Sequence, residues 1–172
     1  IEVDLPDRDS EVLPMLLSAL LSELPNALLR GDAAVEITGL TYDSRQVAAG
    51  SLFVAIRGVH VDGHDYIPAA LEAGAAAVVA EAGRSLDVPV PLVQVEDPHA
   101  ALADLAAAFY GHPARELLIV GVTGTDGKTT TTFLTSSVLE AMGHTTALFG
   151  TVDFKLGARR WANKGRQTTP ES

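Results

Sequence analysis

The stretch LLIVGVTGTDGKTTTTFLTSSVLEAMG, residues 117–143, decides the fold. Leu117 to Val122 is almost continuously apolar, the pattern of a strand buried on both faces. Downstream, Phe133, Leu134, Ser137, Val138 and Ala141 share one face of a helix expected over 128–142, and Gly143 suits its left-handed end. Between strand and helix lies GVTGTDGKTTTT, residues 121–132. Gly124 and Gly127 let the backbone turn tightly and present its N–H groups. The first helical turn adds unpaired N–H donors and the positive end of the helix dipole, so the junction attracts phosphate oxygens. Lys128 brings an ammonium toward β- and γ-phosphates, and Thr129 offers a hydroxyl to Mg²⁺. Each charge-assisted hydrogen bond of this kind contributes roughly 1.5–3 kcal/mol. The spacing departs from G-x-x-x-x-G-K-[ST], because Val122 stands five residues before Gly127. Asp126 places negative charge near any bound phosphate; its tolerance of left-handed backbone gives it a conformational reason to be there. The competing reading is a glycine-rich turn with an incidental lysine.

Upstream, strands and helices alternate, which predicts α/β architecture. Leucines at helical spacing predict a helix over 11–30 with Ser10 as N-cap and Pro25 as a stop. Short strands are expected at Ile37–Tyr42, Ser51–Ile56, Ala76–Ala80 and Val90–Val95. Helices are expected over 66–74, ended by Gly74, and over Pro98–Tyr110. The segment YGHPARE, Tyr110–Glu116, is the best boundary, giving domains 1–112 and 113–172. Beyond the helix, Thr145–Val152 reads as a strand and Asp153–Arg166 as a loop or hairpin with Trp161 as an anchor.

With 47% apolar residues the 172-residue chain can build a core. Its formal charge of −10 argues against nucleic-acid partners, which need a cationic surface. No apolar run is long enough for a membrane span. The absence of cysteine excludes disulfides and thiolate metal sites, and fits the cytoplasm. The acidic N-terminus, IEVDLPDRDS, lacks the basic start of a signal peptide, and because it begins with Ile1, further residues are expected to precede it.

Three motifs in order then resemble one family. The GTDGKTT core with its flanking VTG resembles the ATP loop of Mur ligases and folylpolyglutamate synthetases, most of which carry Asn, Ser or His where this chain has Asp126. The run TYDSRQVAAGSLFVAIRGVHVDGHDYIPAALEAGAAAVVAE, residues 41–81, resembles the UDP-binding domain of the MurE and MurF ligases. FGTV at 149–152 followed by TTPES at 168–172 resembles MurE, and MurF usually lacks it.

The resemblance implies a fold, an N-terminal UDP-binding α/β domain followed by an incomplete P-loop-type central domain. It implies ATP and Mg²⁺ held by Gly124, Thr125, Asp126, Gly127, Lys128, Thr129 and Thr130, with Lys128 catalytic and Thr129 the metal ligand. It implies substrate contacts from Tyr42, Ser44, Gly58, Val59, His60 and Val61 to the UDP portion, and from Gln167, Thr168 and Thr169 to the muramyl-dipeptide. The activity implied is phosphorylation of the D-glutamate carboxylate of UDP-MurNAc-L-Ala-D-Glu by ATP. The acyl phosphate is then attacked by the amine of a diamino acid, meso-diaminopimelate or L-lysine. In the family a Glu and a carbamylated Lys lie beyond TTPE, followed by a domain for the incoming amino acid. The 172 residues alone are therefore expected not to ligate, and the second domain is expected to be under-packed and prone to associate.

Simpler roles stand beside these. Ser44 can stabilise a turn through its hydroxyl, and Asp43 and Arg45 can form a surface ion pair. His60 and His64, beside Asp62 and Asp65, fit a turn or ligand loop better than a metal site. His99, His112 and His144 read as surface or cap residues.

Overall fold

The computed structural model describes residues 13–58 and 61–162. The chain divides into two compact units, with the border between Leu117 and Leu118.

The first unit is built on a five-stranded sheet. Strand β1 (Met15–Leu16) pairs antiparallel with β3 (Glu36–Ile37) and leads into α1 (Leu17–Leu21). β2 (Leu28–Arg30) follows, then β4 (Gly39–Thr41), β5 (Ser51–Val54), α2 (Ile67–Glu72), β6 (Ala77–Glu81), β7 (Leu92–Val95) and α3 (Pro98–Phe109). The sheet order is β2-β7-β6-β5-β4. β4, β5, β6 and β7 are parallel, and β2 closes one edge antiparallel to β7.

Both faces of the sheet are covered, which is why β5 and β7 are buried at every position. Leu52, Val54, Val79 and Val93 point to one side and pack with Leu17 and Leu20 of α1 and Ala101, Leu105 and Phe109 of α3. Phe53, Val78, Ala80 and Leu92 point to the other and pack with Ile67 and Ala70 of α2. Asp97 caps α3 by accepting from the N–H groups of His99 (2.8 Å) and Ala100 (3.2 Å). His112 ends the same region in the left-handed conformation, φ 55°.

The single helix expected over 11–30 is replaced by β1, the five-residue α1 and β2. The leucine spacing is satisfied for only one turn, where Leu17 and Leu20 reach the core. The Ser22 hydroxyl then donates to the Ala19 carbonyl at 2.6 Å, a local bond that competes with helix continuation. Leu28–Arg30 finds better partners on the sheet edge, opposite Leu92–Gln94. Ser10 lies outside the described residues. The strand expected over 37–42 is split between β3 and β4.

The second unit contains α4 (Lys128–Ala141) and a three-stranded antiparallel meander, β8 (Ala147–Phe149), β9 (Asp153–Leu156) and β10 (Arg159–Ala162). The polar stretch from Asp153 is thus the hairpin β9–β10, turning at Gly157 with φ 57°. The strand expected over Thr145–Val152 is only the three residues of β8. The Trp161 side chain lies outside the described part.

The buried strand expected at Leu117–Val122 does not form. Among the described residues nothing pairs with it, and Leu117, Leu118, Ile119 and Val120 are 65%, 90%, 69% and 58% exposed. A two-faced apolar strand needs ladder partners and cover on both faces, and the described residues supply neither. On α4 the expected apolar face is likewise open, with Leu134 and Val138 exposed and Ser136 buried instead.

Ser136 belongs to a closed polar cluster between α4 and the meander. The buried Lys155 ammonium donates to Ser136 Oγ (3.3 Å) and pairs with Glu140. Thr146 Oγ1 donates to Glu140 Oε1 (2.8 Å). A hydroxyl has one hydrogen, so at the 2.7 Å contact between them Ser136 is the donor and Thr146 the acceptor. The Lys155 ammonium, then the Thr146 hydroxyl, hold the Glu140 carboxyl below its usual range. The interior of this unit is therefore partly ionic.

Candidate functional site

The four parallel strands of the first unit all end at the same edge of the sheet. In open α/β sheets the crevice outside the carboxyl ends of the strands is where ligands bind. Tyr42, Asp43, Ser44 and Arg45 follow β4 there, and Gly58, Val61 and Asp62 follow β5. β4 and β5 are neighbours, so two of the sequence-predicted substrate segments come from adjacent strand ends.

After β4 the chain makes a 3-10 turn over Ser44–Gln46, capped by Asp43. Asp43 Oδ1 accepts from the Arg45 N–H (3.0 Å) and from Arg45 Nε (2.9 Å), and Oδ2 accepts from Arg45 Nη2 (2.7 Å). The bidentate guanidinium keeps the Asp43 carboxyl below its ordinary value and raises that of Arg45. Asp43 and Arg45 are thus a local ion pair on the surface. Ser44 is half-buried in the turn and Tyr42 is exposed.

After β5 the backbone doubles back. Arg57 and Asp62 form an antiparallel bridge, Gly58 N–H donates to the Val61 carbonyl (2.8 Å), and Gly63 N–H donates to the Ile56 carbonyl (2.8 Å). A Cβ at Gly63 would fall 2.5 Å from that carbonyl oxygen, so only glycine fits. Gly58 and Val61 are both exposed. Val59 and His60 lie outside the described residues.

The base of this turn is braced. Asp62 Oδ1 accepts from the His64 N–H (3.0 Å) and lies 2.6 Å from His64 Nδ1, and Oδ2 accepts from Arg84 Nη2 (2.7 Å). His64 Nε2 accepts from the Glu81 N–H at 3.1 Å. Nδ1 must then carry the hydrogen and donate it to Asp62. The His64 backbone N–H, its ring and Arg84 together lower the Asp62 carboxyl to about 2. Arg84 also reaches Glu81 Oε2 (3.4 Å), and its carbonyl accepts from the buried Gln94 amide (2.9 Å). Glu81 and Arg84 escape a sequence reading, because their contacts to the turn span 17 and 22 residues and exist only once β5 and β6 lie side by side, and Gln94 joins them from β7.

In the second unit the glycine-rich loop meets α4 at Gly127, φ 79°. Gly124 has φ 149°, and a Cβ at either glycine would meet nothing closer than 3.7 Å, so the loop is open around them. No side chain caps the first turn of α4. The N–H groups of that turn therefore keep their capacity for an anion. Lys128 folds back over the loop, its ammonium donating to the carbonyls of Gly124 (2.5 Å) and Thr125 (3.3 Å). Thr125, Asp126, Thr129 and Thr130 are exposed on the same short segment. The residues present thus fit a polyphosphate, with donors converging where the helix begins and one cation beside them. For Mg²⁺ the fit is narrower. Thr129 offers a single hydroxyl, and among the described residues no group of three His, Cys, Asp or Glu side chains could hold a metal. Gln167, Thr168 and Thr169 lie outside the described residues.

Among the described residues no helix is long and apolar enough to cross a membrane. A largely parallel α/β unit followed by a glycine-rich loop at a helix start defines the class. Comparison with known proteins specifies it. The family model described as the Mur ligase family catalytic domain matches residues 36–110, and that of the Mur ligase middle domain matches 122–172. The chain belongs to the Mur ligase family. It is 64% identical over 141 residues to a UDP-N-acetylmuramyl-tripeptide synthetase of Roseiflexus, covering 80% of this chain and 27% of that protein. It is 48% identical over 158 residues to the UDP-N-acetylmuramoyl-L-alanyl-D-glutamate–2,6-diaminopimelate ligase of Geobacillus kaustophilus, covering 92% and 32%. The chain thus spans about a third or less of these relatives' length. A crystal structure of MurF from Acinetobacter baumannii aligns with a TM-score of 0.62 at 22% identity, over 83% of this chain and 31% of that one. A structure of a UDP-N-acetylmuramoyl-L-alanyl-D-glutamate–2,6-diaminopimelate ligase aligns at 0.59 and 19%, over 86% and 30%. Both express the fold, and neither favours one ligase type.

Proposed function

We propose that this chain is the UDP-substrate and ATP-binding portion of a cytoplasmic MurE-type ligase, which joins a diamino acid to UDP-MurNAc-L-Ala-D-Glu. The observation that carries this reading is the 48% identity to a diaminopimelate ligase running through both units. The name of the Roseiflexus relative, a tripeptide synthetase, fits addition of a third residue to a dipeptide. Residues 1–112 form the domain for the UDP-muramyl-peptide, and 113–172 begin the ATP-binding domain.

ATP would supply the phosphoryl group that activates the glutamate carboxylate. The chain's own residues position and neutralise. The N–H groups from Gly124 to Thr130 hold the β- and γ-phosphates. Lys128 must leave the carbonyls of Gly124 and Thr125, and its charge then stabilises the transferring group. Thr129 would supply one oxygen to Mg²⁺, with phosphate oxygens and waters completing the shell. Tyr42, Ser44, Gly58, Val59, His60 and Val61 hold the UDP portion, and Gln167, Thr168 and Thr169 reach the peptide.

The test is a ligation assay on the full-length protein that contains this chain, with meso-diaminopimelate and L-lysine as amines. Turnover with UDP-MurNAc-L-Ala-D-Glu and none with the UDP-muramyl-tripeptide is expected. Preference for the tripeptide plus D-Ala-D-Ala would assign the MurF-type reaction instead.

A further inference from the structure

Beneath the turn that carries Gly58 and Val61 lies a set of groups that no substrate role uses. His64 is 6% exposed, and its two ring nitrogens are both engaged, one by Asp62 and one by the Glu81 backbone. The Asp62 carboxylate accepts from the His64 N–H, the His64 ring and Arg84. It also forms the closing bridge of the turn with Arg57. One carboxylate thus ties the turn after β5 to the end of β6. A core apolar residue would fill the space under the turn, but it would not fix the turn's height or direction. Hydrogen bonds to a charged acceptor do both, because they weaken steeply with distance and angle.

We propose that Asp62, His64 and Arg84 are positioning residues for nucleotide binding, holding the turn that presents Gly58 and Val61 in the conformation that accepts the uridine diphosphate portion. This rests on the reading of that turn as part of the UDP site. Asp62 is the hub, His64 sets its backbone and ring side, and Arg84 sets its outer oxygen. Arg84 acts through Asp62: its guanidinium is committed to Asp62 and Glu81.

The proposal separates from a direct Arg84–phosphate contact in a double-mutant cycle read by UDP titration on the full chain. Arg84 is partly exposed, with 32% of its side chain accessible, so Arg84→Met is expected to fold. Arg84→Met and Asp62→Asn should each weaken UDP binding roughly tenfold, the scale of one hydrogen bond to a charged group. The double variant should be no weaker than Asp62→Asn alone, and Arg84→Lys should recover most of the affinity. Amide hydrogen exchange at Gly58 and Gly63 should accelerate in both single variants and report the loosened turn without ligand. Full affinity in Asp62→Asn with UDP still bound by the wild type would overturn the proposal. So would an Arg84→Met loss that persists undiminished in the Asp62→Asn background, since Arg84 would then touch the ligand itself. Failure of the wild type to bind UDP at all would overturn both the site reading and this inference, and is distinguishable because no variant would be needed to see it.

Discussion

The two units handle their apolar residues in opposite ways. In the first, β5 and β7 are sealed on both faces, and Leu52, Phe53, Val54, Val78 and Val79 are fully buried. In the second, the apolar run Leu118–Val120 and the helix face of Leu134 and Val138 stand open, while Lys155 and Ser136 are buried. Apolar character in a sequence states a demand for burial; whether the demand is met depends on which neighbours are present. The chemistry divides the other way. The better-packed unit offers a surface shaped by hydrogen bonds between distant residues, and the under-packed unit carries the loop that needs only local backbone geometry.

The largest expected effect breaks this comparison at the core. Phe53→Ala should destabilise the first unit by about 3–5 kcal/mol, whereas Leu134→Ala should change stability by no more than about 0.5 kcal/mol. Urea unfolding followed by probes in each unit checks both values; a large loss from Leu134→Ala would mean that its face is covered. Next in size is Lys128→Ala in the full-length ligase. It should lower turnover roughly 10²–10³-fold, the cost of losing one preorganised charge at a developing anion. Retention of full activity would remove Lys128 from the mechanism.

A smaller effect sharpens the picture of the first unit. Asp62 has its carboxyl lowered from 3.8 to about 2 in the fold. The native state therefore binds its proton less tightly than the unfolded chain does. The stability this contributes is present above about pH 4 and is lost as pH falls toward 2. Asp62→Asn should flatten that part of the acid limb in a pH series of thermal melts. Least of all, Arg45→Ala should leave the melting temperature unchanged, because the Arg45 side chain is 86% exposed and its pair with Asp43 is a surface one.

What could be read from the sequence follows the same division. The glycine-rich loop, α4 and its Gly143 end are local features, written in consecutive residues, and they occur where the sequence places them. SLFVAI and AAVVA were legible as strands because they are short apolar runs alternating with helices, which also set the α/β class; their parallel pairing appears only in the fold. The helix over 11–30 was misread because leucine spacing is compatible with one helical turn followed by an edge strand, and only the pairing of Leu28–Arg30 with β7 decides between them. The strand at 117–122 was misread because strand formation needs partners, and the run itself does not say whether they are there. Of the brace, Asp62 and His64 were legible as parts of a turn, whereas Glu81 and Arg84 join it only across 17 and 22 residues and had no local signature.

The proposed function requires two separate nucleotide sites, one in each unit. Calorimetric titration of the chain with UDP-MurNAc-L-Ala-D-Glu and, independently, with ATP and Mg²⁺ tests it. Ser44→Ala should weaken only the UDP-substrate, and Lys128→Ala should weaken only ATP. Unchanged affinities in both variants, or binding of ATP that survives without the lysine, would contradict the assignment.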